Sequence, residues 1–344
     1  MSVSNWLMEH DLLPDPILRW GIRRLLRDRL NLEAANAAGS KDPVGDFMAQ
    51  LAASPIAINT GEANAQHYEV PTDFYLRVLG PCRKYSSCLW DAPVAQLAEA
   101  EVAMLELTCR RAGIADGQAV LDLGCGWGSF TLFAAARYPG ARFTAVSNSR
   151  TQKAYIDGEA ARRGLTNVQV ITADINAFAP PDTFDRIVSV EMLEHVRNYA
   201  TLFGRLRTWL KPDGRMFVHV FCHDRFAYPF EIDGDNDWMA RYFFTGGIMP
   251  SADLLPRFDQ DLVCLQQWKV NGTHYAKTLE AWLVNMDRAR RELMPLFKQT
   301  YGDAQALKWW VYWRIFFLSC AELFTFRGGQ EWYVSHYLFA PKNG

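Results

Sequence analysis

The chain of 344 residues has no C-x-x-C pair among its seven cysteines and no Cys/His spacing of a zinc site. A zinc ribbon and a thioredoxin-like redox motif are therefore excluded, and no metal is expected. An odd cysteine count in so long a chain fits reduced thiols, so a cytoplasmic protein is expected. An excess of charge is also missing: 36 Lys and Arg stand against 38 Asp and Glu, for a net charge of −2. That balance gives no reason to expect nucleic acid as a partner. Long uninterrupted apolar runs are absent. No signal-peptide core stands out in the first thirty residues, and the most apolar segment, Trp309–Phe324, carries Arg314 and Glu322. A membrane span is not expected. Internal repeats and low-complexity tracts are lacking too.

What the chain does have is a Gly-rich turn and many aromatics. In Val120-Leu-Asp-Leu-Gly-Cys-Gly-Trp-Gly128 an apolar run is followed by Gly124, Gly126 and Gly128 at spacing two. This reads as a strand entering a tight turn that opens a helix. Glycine lets a ligand approach the backbone there, against its N–H groups, because no Cβ intervenes. The spacing is not the G-x-G-x-x-G of dinucleotide sites. The second strand ends in Val146-Ser-Asn-Ser149 and lacks the acidic residue that holds a ribose in NAD enzymes. Asp174, after the third strand, is placed to meet an adenine amino group. The pattern points to S-adenosylmethionine as cofactor and to a class I methyltransferase.

Around that turn, strands alternate with helices. Strands are expected at Ala119–Leu123, Arg142–Val146, Val168–Ile171, Arg186–Val190 and Arg215–Val220, with helices at Val94–Ala112, Ser129–Tyr138, Ser149–Arg163 and near Tyr199–Leu210. This is the pattern of an α/β, Rossmann-like, mostly parallel sheet, which binds ligands at the carboxyl ends of its strands. Residues 225–320 break the rhythm and read as a helical, aromatic-rich cap. Trp332–Phe339 alternates and reads as a closing strand, the sixth by this reading, while a class I methyltransferase sheet is expected to have seven. Residues 1–60 read as a separate helical segment before a methyltransferase domain at 61–344. Within it, Ile17–Leu32 puts Leu18, Ile22, Leu25 and Leu26 on one face and five arginines elsewhere. That is a helix docked on the body, or alternatively one that touches anionic lipid. Ala34–Pro43 reads as a linker.

Four stretches carry a closer likeness: His67–Tyr75, Lys84–Trp90, Leu121–Gly128 and Ser189-Val-Glu-Met-Leu-Glu-His195. They resemble the cyclopropane-fatty-acid synthase superfamily of methyltransferases. Leu12–Arg19, Arg241–Pro250, Val270–Ala276, Tyr312–Leu318 and Ala321–Phe324 are most similar to its coclaurine N-methyltransferase-like branch, which methylates amines such as benzylisoquinoline alkaloids. The resemblance implies a set of roles. Tyr85 and Ser86 match contacts to the methionine part of the cofactor, and Asp122, Gly124 and Gly126 match the Gly-rich turn. Asn148 and Gln152 match the ribose region, Asp174 and Ile175 the adenine contacts, and Val190 closes the set. Glu191, Glu194 and His195 match a catalytic acid–base cluster. Tyr242, Phe243, Phe244, Tyr312, Trp313 and Phe316 match an aromatic substrate pocket. A lid role is implied for His67. A homodimer is compatible with this reading.

These residue types suit methyl transfer to an amine. An alkyl amine with a pKa near ~10 is protonated at pH 7, and freeing its lone pair costs roughly 4 kcal/mol. A neighbouring base removes most of that penalty. If residues 191–195 turn helically, Glu191, Glu194 and His195 share a face, where two carboxylates orient an ammonium and the imidazole takes its proton. A cation over an aromatic face gains about 0.5–2 kcal/mol. Most of the cap aromatics read as core, with Trp313 and Phe316 spaced to line a pocket. His219 and His223, near a strand end, are open to structural or supporting roles. The competing reading is a cyclopropane synthase-like enzyme that modifies lipids. The resemblance implies that those enzymes hold bicarbonate through a Cys and a Tyr. Here Ser87 and Phe317 stand in those positions, while Glu194 and His219 of the set remain.

Overall fold

The computed structural model describes residues 3–58, 71–231 and 238–342. His67 therefore lies outside the described residues. Seven strands form one sheet: β1 Ala119–Leu123, β2 Arg142–Ser147, β3 Val168–Thr172, β4 Phe184–Val190, β5 Leu210–His223, β8 Leu262–Val270 and β9 Trp332–Pro341. Their order is β3-β2-β1-β4-β5-β9-β8. The first five in that order run parallel, and β9 lies antiparallel between β5 and β8. A small ribbon, β6 Tyr228–Pro229 with β7 Ile248–Met249, stands apart. Among the described residues no helix is long and apolar enough to cross a membrane.

The central strands form where apolar runs are buried on both faces, as crossover helices require. Four of the five residues of β1 are buried. Chain order reverses on either side of β1, between β2 and β4, and the carboxyl ends of these strands open a cleft. The Gly-rich turn sits there because each glycine takes a left-handed conformation, with φ of 84°, 52° and 73° at Gly124, Gly126 and Gly128. A Cβ on Gly124 would meet Met192 at 2.6 Å, and one on Gly128 would meet Ile156 at 2.7 Å. Gly128 then caps the helix Ser129–Arg137. Ser149 caps the helix Arg150–Arg162, its hydroxyl accepting the Gln152 N–H.

The cap differs from a purely helical insertion. It contains the edge strand β8 and the β6–β7 ribbon as well as the helices Gly272–Arg288, Arg290–Tyr301 and Asp303–Gly329. β8 escapes a periodicity reading because only its two end residues are buried. The expected linker Ala34–Pro43 is also corrected. The N-terminal helix runs over Asp15–Ala38 and leaves only four residues before the next, Pro43–Ala52. Alanines extend it, and Arg29 bridges Glu33 one turn on at 3.0 Å. This helix docks on the cap. Leu18, Ile22 and Leu26 pack against the cap core, Leu30 is buried in it, and Leu25 faces solvent. Arg19 grips Glu280 with two bonds of 2.6 and 2.8 Å and reaches Glu322 at 3.0 Å. Arg314 returns the clasp to Asp15 at 3.0 Å.

Gly272 joins the cap to the sheet. A Cβ there would meet the backbone oxygens of Trp332 at 2.2 Å and Phe324 at 2.4 Å. Neither can give way without moving a strand or a helix. Gly272→Ala is expected to cost about 1–3 kcal/mol of stability, as overpacking of a rigid contact does. Urea unfolding of the variant checks this, and an unchanged midpoint would refute the contact's rigidity.

Candidate active site

The cleft encloses about 1320 Å³, its open mouth included. β1 and the turn supply Asp122, Gly124 and Gly126 to its wall, Asn148 follows the end of β2, and Gln152 enters from the first turn of the helix Arg150–Arg162. Asp174 and Ile175 enter from the end of β3, Val190 from β4, and Tyr85 and Ser86 from the segment before the helix Leu97–Ala112. All ten cofactor positions expected from the sequence thus line one cleft. The turn itself offers less backbone than expected. The Gly124 and Cys125 N–H groups both donate to Val146 O, at 3.0 and 2.9 Å, and so tie the turn to β2. Close approach rests on the missing side chain at Gly126, where a Cβ would find no atom within 4 Å. Asp122 is buried, accepts from Thr131 Oγ1 at 2.6 Å, and burial pushes its carboxyl up to about 7. Asp174 holds its own loop, with Oδ1 accepting from the Asn176 N–H at 2.8 Å. Ser147 Oγ donates to Gln152 Oε1 at 2.6 Å and fixes the Gln152 amide at the wall.

The segment carrying Tyr85 and Ser86 is shaped from below by a buried pair that sequence reasoning missed. Glu101 accepts the N–H groups of Cys82 at 2.8 Å and Lys84 at 3.2 Å. Lys84 is itself buried, and its ammonium donates to Ser86 Oγ and to Ser87 O, the latter at 2.7 Å. Gly80 makes room for this carboxylate, since a Cβ there would lie 2.5 Å from Glu101. Lys84 sits in a quoted motif, but a lysine before Tyr-Ser gives no sign of burial. Ala57, Ile58, Thr245 and Gly246 also line the cleft unanticipated.

Glu191, Glu194 and His195 do not share a helical face, which corrects that expectation. Glu191 has a left-handed φ of 47°, and only Leu193–His195 forms a short 3-10 turn. Glu191 and His195 line the cleft; Glu194 does not. A left-handed non-glycine residue at a strand end is costly and clusters at functional sites. Here three donors hold it. Ser87 N–H and His219 Nε2 lie 3.0 and 3.1 Å from Glu191 Oε1, and the Tyr275 hydroxyl donates to Oε2. Burial pushes the Glu191 carboxyl up to about 7, against the pull of Lys84 and of the bonds from Tyr275 and Ser87. Glu194 is buried with Oε2 unpartnered, and burial with the nearby Glu191 raises it well above the carboxylate range. His195 lies against the Phe244 ring at 4.8 Å.

The aromatic set is a packed cluster. Phe243, Tyr312, Trp313 and Phe316 are buried, and Phe243 stacks on Phe316 at 4.6 Å. Trp313 and Phe316 do share a face, with rings 5.7 Å apart, but neither lines the cleft, and nor do Tyr242 and Tyr312. Tyr312 Oη donates to Glu9 Oε1 at 2.7 Å, which anchors the short helix Val3–Glu9 that precedes Asp15–Ala38. The Arg241–Pro250 motif reaches the cleft through Thr245 and Gly246 instead. His223 is structural: its Nδ1 accepts the N–H groups of Arg225 and Phe226, each at 2.9 Å. Tyr275 was signalled by the Val270–Ala276 motif without being singled out.

Comparison with known proteins agrees with this geometry. Residues 57–331 match the family model described as mycolic acid cyclopropane synthetase. The (S)-coclaurine N-methyltransferase of Thalictrum flavum subsp. glaucum is 39% identical, over 97% of this chain and 94% of that one. The crystal structure of coclaurine N-methyltransferase bound to N-methylheliamine and SAH superposes with a TM-score of 0.91 at 37% identity, covering 97% of each chain. The cyclopropane-fatty-acyl-phospholipid synthase of Escherichia coli strain K12 is 29% identical, over 78% of this chain and 66% of that one. With a parallel sheet, a glycine-lined cleft at its switch point and these relatives, the chain belongs to the mycolic acid cyclopropane synthetase family and is an S-adenosylmethionine-dependent methyltransferase.

Proposed function

We propose that the protein N-methylates a small, aromatic or alkaloid-like amine. The observation that carries this reading is the Glu191 carboxylate, fixed by three donors at the wall of the cleft beside His195. When bound, S-adenosylmethionine supplies a methyl group already activated by its sulfonium. Tyr85, Ser86, Asp122, Gly124, Gly126, Asn148, Gln152, Asp174, Ile175 and Val190 would hold it, since all line the one cleft. The task left to the protein is to bring an amine nitrogen in line and strip its proton.

Glu191 suits the first part of that task. It lines the cleft, and its ionised form would attract and orient an ammonium there. His195 suits the second, because an imidazole takes a proton near neutral pH. Glu194 does not line the cleft, and burial favours its protonated form, so its part is its place behind Glu191. The stacked Phe243 and Phe316 give the cap a rigid aromatic floor, with Phe244 carrying it to His195. The identity to coclaurine N-methyltransferases over nearly the whole chain supports an amine acceptor.

The lipid-modifying reading is disfavoured by the same carboxylate. Of the bicarbonate set that the resemblance implies, the Cys position holds Ser87, and His219 Nε2 is already engaged with Glu191 Oε1 at 3.1 Å. Phe317, buried among aromatics, offers no hydroxyl.

Two outcomes are expected. His195→Ala should lower kcat by about 10²–10⁴-fold, the usual worth of a general base, while cofactor affinity by calorimetry stays near that of the parent. Equal losses in both would remove His195 from the role of base. The second concerns pH. Glu191 has a raised pKa of about 7, so its ionised form is lost as pH falls through that value. With an amine titrating far above neutrality, kcat/KM should climb with pH up to about 7, and Glu191→Gln should flatten that limb. A parent profile flat from pH 5.5 to 8 would contradict the proposal.

A further inference from the structure

Behind Glu191 a line of side chains crosses the sheet. Arg111 Nη1, on the helix Leu97–Ala112, lies 2.6 Å from His336 Nδ1 on β9. His336 Nε2 lies 2.9 Å from His219 Nδ1 on β5. His219 Nε2 lies 3.1 Å from Glu191 Oε1. The two histidines face each other across the β5–β9 ladder, being direct register partners. Both are fully buried.

The chemistry of the first member orders all the others. A guanidinium has donors and no acceptor. His336 Nδ1 must therefore accept, which puts the His336 hydrogen on Nε2. That hydrogen points at His219 Nδ1, which must accept in turn, and so the His219 hydrogen sits on Nε2, facing Glu191. Neither ring can hold a second proton without a donor meeting a donor. Burial, and then the charges of Lys84 and Arg111, keep His219 well below its ordinary pKa; burial, His219 and the same cations do so for His336. Arg111 is pushed down to about 10 by burial and Arg110 and so keeps its charge at neutral pH. Its guanidinium lies over the Trp268 ring at 4.7 Å, which aims the fork at the sheet.

We infer that Arg111 and His336 are positioning residues for the methyl-transfer site: they lock His219 as the Nε2–H tautomer, whose hydrogen holds Glu191 in its acceptor pose. This rests on the proposed role of Glu191 toward an amine. Without the guanidinium, the two rings can exchange tautomers, and His219 can turn a lone pair toward the carboxylate. Glu191 would then take up a proton to restore the bond, and its ammonium-binding form would appear only at higher pH. The other titratable groups around Glu191 are Lys84 and Cys88 from the segment before the helix Leu97–Ala112, Glu194 and His195 from the 3-10 turn, and Tyr275 and Cys320 from the cap. Lys84, Cys88, Glu194, Tyr275 and Cys320 make no hydrogen bond to Arg111 or His336, so the line from Arg111 reaches Glu191 through His336 and His219.

The test has two arms on the full-length protein. Imidazole nitrogen NMR of uniformly labelled protein, assigned with H219Q and H336Q, should show both rings neutral with the hydrogen on Nε2 between pH 7 and 8. An Nδ1–H tautomer or an imidazolium at either position overturns the inference, whether or not any amine is turned over. In the second arm, R111M should move the acidic limb of kcat/KM upward by about one pH unit, and R111K should return it to within a few tenths. A loss of rate in R111M with the limb unmoved would make Arg111 merely structural and overturn the positioning role. If the tautomers are as inferred but no amine is methylated by the parent protein, the proposed function fails and the positioning role falls with it, leaving only the hydrogen-bond order standing.

Discussion

Everything at the reaction end of this protein is arranged around one difficulty: keeping a carboxylate usable where water is largely excluded. Burial alone drives Glu191 toward its neutral form, and a neutral Glu191 neither attracts nor orients an ammonium. The fold answers with donors from three separate elements. Ser87 comes from the segment shaped by Glu101 and Lys84, His219 from β5, and Tyr275 from the cap helix Gly272–Arg288. Each donor adds charge-assisted hydrogen bonding that is stronger than a neutral bond and that only the ionised acid enjoys. The result is a group poised near neutrality, neither a permanent anion nor a permanent acid.

This explains why distant parts of the chain depend on one another. The helix Gly272–Arg288 can place Tyr275 only because Gly272 lets its first turn touch the backbone where β9 begins. The N-terminal helix grips that same helix through Arg19 and Glu280, and the last long helix through Glu322. These partly buried, bidentate contacts fasten the cap from outside, while stacked aromatics fill it from within. A loosened cap would carry Tyr275 away from Glu191 and let the carboxyl drift upward. Stability of the cap and the ionisation of the site are therefore linked, although no cap aromatic expected to contact substrate lines the cleft.

The order of strands and the glycine turn were legible from the sequence because their causes are local. An apolar run buried on both faces and glycines with positive φ leave marks within nine residues. The cleft-lining positions at strand ends followed from the same logic. The rest has causes that span the chain. Arg111, His219 and His336 are separated by more than a hundred residues from one to the next, and only the β5–β9 register brings the two rings together. β8 was hidden because an edge strand with mostly open residues has no clean alternation. The cap aromatics failed in another way. Helical spacing shows that Trp313 and Phe316 share a face, but it does not say whether that face meets a ligand or another ring.

The trio at residues 191–195 shows the limit most directly. Spacing of three and four is shorthand for a helix, and a helix would have given two carboxylates and an imidazole equal access to the cleft. The chain instead leaves β4 through a left-handed Glu191, which turns the following residues so that Glu194 falls behind the wall. That single backbone state separates two acids of identical chemistry into different jobs. Glu191 gains three donors and stays ionisable, whereas burial, an unpartnered oxygen and the neighbouring Glu191 push Glu194 toward its protonated form. The push on Glu194 favours placing the negative charge of this trio on Glu191, which lines the cleft where the amine would arrive. The strained residue is therefore the device that assigns the roles, and the hydrogen bonds around it are what make the strain tolerable.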